Sequence, residues 1–320
     1  MGEGVSRSLS VSLRLKVMNT MGLFEIKPSS IFRDARWLQP LSDPPGGRPL
    51  CRDEDLKIMA DLISGVFRVG RGRNLFVCGR PGTGKTLCIK YIINEVRRCA
   101  KALAAPILAV YINAGWTRTP YYTMREILTG LGLKVPEAGW QMFRLKNAFE
   151  KIVESKAVVI AIDEVDILLH KEREPLVYYL NRQPNTTLIF TSNRFEEVAD
   201  LPERIISTLQ PKIIILKPYT KDEAFTILRE RAKHALKPGS YNDEILKLAA
   251  QTAEIMGDIR MGFTVLLTAG LNAEKSGKTS ISIEDIVSAI ESEAEKELLR
   301  RNLANLLKKQ RRPSIENLNF

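Results

Sequence analysis

Histidine is almost missing: His170 and His234 are the only imidazoles in 320 residues. The four cysteines, Cys51, Cys78, Cys88 and Cys99, form neither a CxxC pair nor a zinc-ligand spacing. A histidine-rich or thiolate metal centre is therefore not expected, whereas buried free thiols in a reducing compartment are. Long apolar runs are missing too. Ile107 to Ile112 and Ala157 to Ile162 fall far short of the ~18–20 residues of a membrane span, so a soluble chain with no membrane partner is expected. The amino terminus lacks the apolar stretch of a secretory signal, which points to the cytoplasm. No internal repeat of fixed period is present.

Negative charge is in short supply: 48 Lys and Arg against 37 Asp and Glu leave +11, a balance that favours polyanionic partners such as nucleic acid. The excess is unevenly placed. Residues 298–320 hold Arg300, Arg301, Lys308, Lys309, Arg311 and Arg312 against Glu316, a net +5, and residues 1–30 add +2. Only +4 is left for residues 31–297.

Along the chain, apolar residues alternate from Leu9 to Val17, as in a loosely ordered extension or a packed strand. Gln39–Leu50 is a Pro/Gly-rich connection, after which Arg52–Val69 is predicted to be one helix with three acids in its first turn. Short β-rich runs then recur at Leu75–Cys78, Ile107–Ile112, Val158–Ile162, Thr187–Thr191 and Ile213–Leu216, with helical spacing between them. Strands apolar on both faces and alternating with helices predict an α/β fold with a doubly wound, parallel, five-stranded sheet. Past Pro218 the pattern is helical only, at 221–235, 243–256, 259–273 and 283–307, as in a small all-α unit. The expected divisions are a 1–30 extension, a 31–218 nucleotide-binding domain, a 219–297 helical lid and a 298–320 basic tail.

Gly79, Arg80, Pro81, Gly82, Thr83, Gly84, Lys85 and Thr86 spell GxxxxGKT between a predicted strand and a helix opening at Leu87. Glycines allow backbone N–H groups to turn inward around phosphates at a helix N-terminus; Lys85 would reach the terminal phosphates and Thr86 would offer an oxygen to Mg²⁺. Ala157–Glu164 is a buried strand ending in two carboxylates, where Asp163 would hold Mg²⁺ and Glu164 would polarise the attacking water. Asn193, at the exit of the next apolar strand, could orient that water or serve as a turn residue.

GRPGTGKT, AIDEVD, TSN and GDIR, in this order and followed by a helical lid, resemble an AAA+ ATPase. IFRDARWL, CRDEDL, YINAGWTRTPYY, LGLKVPEAG, PERIISTL and KPYTKDEAFTILRERA are similar to the origin-recognition and cell-division-cycle replication-initiator branch, archaeal-type, over residues 31 to 290. The resemblance implies an ATP-binding and ATP-hydrolysing replication initiator or helicase loader with slow turnover, bound to ATP or ADP with Mg²⁺. It makes Asn193 the first sensor and Arg204 the arginine finger that completes a neighbouring subunit's site. It makes Arg260 the second sensor, and it places Tyr219 and Arg231 against the nucleotide. The segment from Thr117 to about Pro136 stands where the initiators carry a DNA-touching helical insertion. Its basic and aromatic residues, Arg118, Tyr121, Arg125 and Lys134, are candidate contacts, although aromatics at this spacing also suit a packed helix. Implied partners are duplex DNA, other initiator subunits and a replicative helicase, in a nucleoid-associated setting. Where the family continues into a winged helix, the tail from Leu298 is expected instead, with Arg300 and Arg301 as further DNA candidates. A clamp-loader-like remodeller, or a nucleotide-gated interaction protein with negligible turnover, would share the same phosphate loop.

Overall fold

The structure, a computed structural model, describes residues 28–168, 174–193 and 203–310, with the backbone alone at 174, 204, 205 and 297–310. The alternating Leu9–Val17 segment lies outside the described residues, as do His170 and the tail from Arg311 onward.

The strand Ala157–Asp163 shows why a sheet forms here. Every one of its residues is buried, and alternate side chains enter two different cores. Ala157, Val159 and Ala161 join Cys88, Ile89 and Ile93 on one face, while Val158, Ile160 and Ile162 join Met124, Leu145 and Phe149 on the other. A strand buried on both faces belongs in a sheet covered by helices on both sides. The strands are β1 (Leu75–Cys78), β2 (Ile107–Asn113), β3 (Ala157–Asp163), β4 (Thr186–Ser192) and β5 (Lys212–Ile215). All pair in parallel, in the order β2-β3-β4-β1-β5. The connection leaving β1 runs to β2 on one side and the one leaving its neighbour β4 crosses to β5 on the other, so the crevice between the carboxyl ends of β1 and β4 is the topological switch point where ligands bind in such sheets.

The helices around the sheet are α1 (Asp53–Ile63), α2 (Lys85–Ala102), α3 (Pro120–Gly130), α4 (Met142–Ser155), α5 (Glu174–Asn181) and α6 (Glu203–Leu209). The lid is α7 (Lys221–Ala235), α8 (Asp243–Met256), α9 (Ile259–Lys275) and α10 (Ile283–Gln310), with its own apolar core. A capping box between Thr220 and Glu223 opens α7 two residues after Pro218. Ile31, Phe32 and Leu38 pack into the lid core, and the Phe32 ring needs Gly270, where a Cβ would approach it to 2.4 Å. Among the described residues no helix is long and apolar enough to cross a membrane.

One predicted element differs. The helix expected over Arg52–Val69 stops at Ile63 and resumes as a single turn, Val66–Val69. The chain folds back over the break so closely that a Cβ on Gly65 would lie 2.7 Å from the Arg71 carbonyl oxygen, and one on Gly72 would lie 2.6 Å from that of Ile63. Tertiary contact, invisible to helical spacing, sets the end.

Candidate functional site

The loop after β1 is shaped by what approaches it. Gly84 has φ +88, and a Cβ there would stand 2.6 Å from the Tyr219 hydroxyl; at Gly82, φ +77, it would stand 1.8 Å from the Asp258 carboxylate. Only glycine accepts both the backbone conformation and the contact. The loop runs into α2 at Lys85, so the first-turn N–H groups, which have no intrahelical acceptor, face the concavity of the loop. The Lys85 ammonium donates to the carbonyls of Gly79 (2.6 Å) and Arg80 (3.0 Å) and to Asn193 Oδ1 (3.0 Å). The Thr83 hydroxyl donates to the Arg80 carbonyl at 2.9 Å and tightens the turn.

Parallel pairing brings the acids to the same edge. Asn113 stands beside Asp163 in the β2–β3 register, and β4 delivers Thr191 and Asn193 on the other side. The Asp163 carboxylate, 1% exposed, accepts hydrogen bonds from Thr86 Oγ1 (2.7 Å), Tyr111 Oη (2.8 Å) and Thr191 Oγ1. Three hydroxyls thus fix its oxygens toward the loop. Glu164 leaves the strand with φ +54, an uncommon conformation for a residue with a side chain, and its N–H donates to Thr191 Oγ1 at 3.0 Å. Its carboxylate is so close to Gly115 that a Cβ there would meet Oε2 at 2.3 Å and Asn113 Oδ1 at 2.8 Å. Asn113 Oδ1 is buried without a hydrogen-bond partner among the described residues.

Burial and like charge act together on these groups. Desolvation, and then Asp163 and Asp166, raise the Glu164 carboxyl above the ordinary glutamate value, with Lys85 opposing. Desolvation also lowers the Lys85 ammonium, helped by Arg260 and opposed by Asp163. Tyr111 is pushed up by burial and by the Asp163 charge it donates to, so it remains a donor.

The lid side is built from arginines. Arg260 holds Asp258 through two guanidinium nitrogens, at 2.9 and 2.6 Å, which ties the second-sensor candidate to the carboxylate that touches Gly82. Arg231 lines the same cavity, but its hydrogen bonds go to Trp37 O, Ser42 Oγ, Asp43 O and Ser42 O, so it fastens the Pro-rich segment over the cavity. Burial lowers its pKa to about 10.

Arg52 was not singled out by residue type or spacing. It is 6% exposed, donates to Thr83 O (3.0 Å) and Lys217 O (2.6 Å), and stacks 4.0 Å over the ring of Tyr219. One guanidinium therefore joins the phosphate loop to the connection entering the lid. Lysine, a point charge, cannot make this planar bridge. Arg52→Lys is expected to destabilise the protein by about 2–3 kcal/mol in urea unfolding and to weaken ATP binding with it.

The insertion candidates divide between a buried face and an outward one. Thr119 caps α3, Pro120 occupies its first turn, and Thr123, Met124, Ile127 and Leu128 form its buried face. Tyr121 packs against the core and Arg125 keeps little exposed surface, whereas Arg118, Tyr122 and Lys134 face outward. Trp116, one of the aromatics interleaved with the basic residues of this stretch, is 82% exposed and lines the cavity just before them. Arg204 lies in α6 with its side chain outside the described residues, and the same holds for Arg300 and Arg301 in α10.

Pro81, Gly82, Gly84, Lys85, Thr86, Leu87, Asp163, Glu164, Asn193, Tyr219, Arg231 and Arg260 all line one cavity of about 690 Å³. Arg80 is exposed outside it, and Gly79 and Thr83 support the loop from behind. A phosphate loop, two strand-end acids and a helical lid on this sheet order define a P-loop ATPase of the AAA+ class, whose members bind nucleotide. Residues 69–198 match the AAA domain family and residues 225–291 the Cdc6 AAA+ ATPase-type lid domain. The nucleotide-binding part thus matches an AAA domain and the helical part a Cdc6-type lid, and curated relatives of the chain are named as ORC1-type DNA replication proteins.

ORC1-type DNA replication protein 1 of Sulfurisphaera tokodaii is 32% identical over 247 residues, 74% of this chain and 61% of its own length. The ORC1-type DNA replication protein of Pyrococcus furiosus is 28% identical over 253 residues, 75% of this chain and 60% of its own. The chain thus spans about three-fifths of the curated relatives it matches. Among solved structures, the Aeropyrum pernix ORC1 protein in complex with DNA superposes with TM-score 0.73 at 25% identity, covering 90% of this chain and 75% of that one.

Proposed function

We propose that the protein is a slow, ATP-switched replication initiator or helicase loader, in which nucleotide state sets the grip on duplex DNA and the contacts between subunits. Lys85 would neutralise phosphate charge after exchanging its loop carbonyls for phosphate oxygens, and Arg260 would reach the nucleotide from the lid. Glu164, with its raised carboxyl pKa, would take the proton of the attacking water while Asn193 positions it. Arg204 would act on the nucleotide of a neighbouring subunit. The hard oxygens of Thr86 and Asp163, 2.7 Å apart and facing the loop, fit a Mg²⁺ site. Bound there, Mg²⁺ would supply charge neutralisation at the phosphates.

One observation carries the link to DNA: the outward Trp116–Arg118 turn begins at Gly115, in contact with the Glu164 carboxylate. A duplex pressing on that turn would move the base, and ATP at the base would move the turn. The relatives named for DNA replication and the ORC1 protein solved with DNA support this assignment. Duplex titration of the full chain, read by fluorescence anisotropy, is expected to show binding tightened roughly 5-fold or more by ATP over ADP, the usual scale of coupling between sites. Equal affinity in both nucleotides would defeat the proposal.

A further inference from the structure

The carboxyl edge of the sheet is taken up by the nucleotide cavity; the amino edge carries a second concentration of charge. Arg68, Arg73, Lys156, Arg182 and Lys212 are exposed there, and among the described residues none of them is paired with a carboxylate. They come from four separate connections. Buried Asn74, immediately before β1, draws them together: its Nδ2 donates to Asn181 Oδ1 at 2.9 Å, beside Arg182, and its carbonyl accepts from the N–H of Lys212 at 2.8 Å. Asn185 adds the β3 end, accepting from Val158 N at 2.8 Å, two residues past Lys156, and lying against Gly70.

The cluster is held rigidly. Gly72 N donates to Thr187 Oγ1 at 2.8 Å and Arg73 N to Leu62 O at 2.9 Å, so the segment entering β1 is pinned both to β4 and to the end of α1. Arg71 turns inward and donates to Asn181 O at 3.0 Å, and Arg182 is braced by the Tyr178 hydroxyl at 2.7 Å. Asp61, Glu154 and Glu203, the acids that precede Arg68, Lys156 and Lys212 along these segments, form no ion pair with the cluster among the described residues. Like charges gathered without counter-charges raise the local potential and draw a polyanion.

Dimensions select the partner. The starts of β3, β4, β1 and β5 follow one another, and three strand spacings make a basic row ~14 Å long. Laid along a duplex axis, that length covers about four base steps at ~3.4 Å rise. We propose that the amino edge of the sheet is a second duplex-DNA contact surface, on which Arg68, Arg73, Arg182 and Lys212, with Lys156 at the end of the row, bind backbone phosphates without reading sequence. The inference rests on the DNA-binding reading above and adds a surface at the opposite edge of the sheet from the Trp116–Arg118 turn. β1 alone separates this edge from the phosphate loop by ~13 Å, so ATP chemistry is spared.

The experiment is a salt series on the full chain with ATP and a mixed-sequence duplex. Neutralising Arg68, Arg73 and Arg182 together to Gln is expected to flatten the slope of log affinity against log salt by about 2.7, at ~0.9 for each phosphate no longer neutralised, and equally for any duplex sequence. The same three sites changed to Lys should keep most of the slope, and turnover of ATP should match wild type in both variants, which guards against misfolding. An unchanged slope in the Gln variant overturns the surface, even where Arg118→Gln with Lys134→Gln weakens binding and the DNA reading stands. A flattened slope with no effect of ATP sustains the surface and overturns the switch. Loss of slope in the Lys variant with normal turnover also overturns phosphate contact, and a wild-type chain that binds no duplex at any salt overturns both.

Discussion

Glu164→Gln is expected to keep ATP bound while hydrolysis falls by at least ~10²-fold, the range for removing a positioned general base. Of the two strand-end acids, it is the one without the three hydroxyl donors that fix Asp163, and the geometry frees it to take a proton. Gln preserves its shape beside Gly115 and removes the basic oxygen. Single-turnover hydrolysis and equilibrium ATP binding, measured on the same protein, separate the two effects, and unchanged turnover would remove Glu164 from the chemistry.

The wild-type pH profile carries the same assignment. Because burial and Asp163 hold the Glu164 pKa above the ordinary glutamate value, the base protonates earlier on acidification. Turnover should fall as pH drops through that raised value, and Glu164→Gln should lose this limb. The sign for stability is opposite to that of a paired carboxylate. A pKa raised on folding favours the protonated form, so its contribution to stability is present below the unfolded value and lost as pH rises. Glu164→Gln should accordingly be no less stable than wild type at neutral pH.

Lys85→Ala is expected to fail one step earlier, at ATP binding. The ammonium is mostly buried, within hydrogen-bond reach of Gly79 O, Arg80 O and Asn193, and is the cation at the centre of the loop. Losing charge-assisted bonds to phosphate should weaken ATP by roughly 10–100-fold. The contrast with Glu164→Gln is the informative part. If Lys85→Ala binds ATP as tightly as wild type, the loop is not the phosphate site.

Much of the architecture was legible because it depends on local pattern. Strands apolar at both parities can lie only in a covered sheet, and GRPGTGKT between a strand and a helix leaves few alternatives, so β1 to β5, the lid helices and the Lys85–Asp163–Glu164 group follow from runs and spacing. Residues whose meaning lies in distant partners were harder to read. Arg52 sits in a charged stretch and reads as helix-start polarity until Thr83, Lys217 and Tyr219 converge on it. Arg231 reads as a nucleotide contact, and that its Nη1 and Nη2 also hold residues 37–43 could not be read from spacing. Ile31, Phe32 and Leu38 lie nearly two hundred residues from the lid core they enter, a separation that periodicity cannot cross. The amino-edge arginines and lysines come from four connections that the sheet order alone assembles. The mildly basic body of residues 31–297 therefore concealed a concentrated patch behind a small net charge.

Coupling between the nucleotide site and the DNA-facing surface can be read by titrating ATP into the full chain with and without saturating duplex. Linkage requires DNA to change ATP affinity by the same factor by which ATP changes DNA affinity. ATP binding is expected to tighten in the presence of duplex by roughly 5-fold or more, at the lower end of typical coupling free energies. Identical ATP affinities in the two titrations, with duplex demonstrably bound, would contradict it.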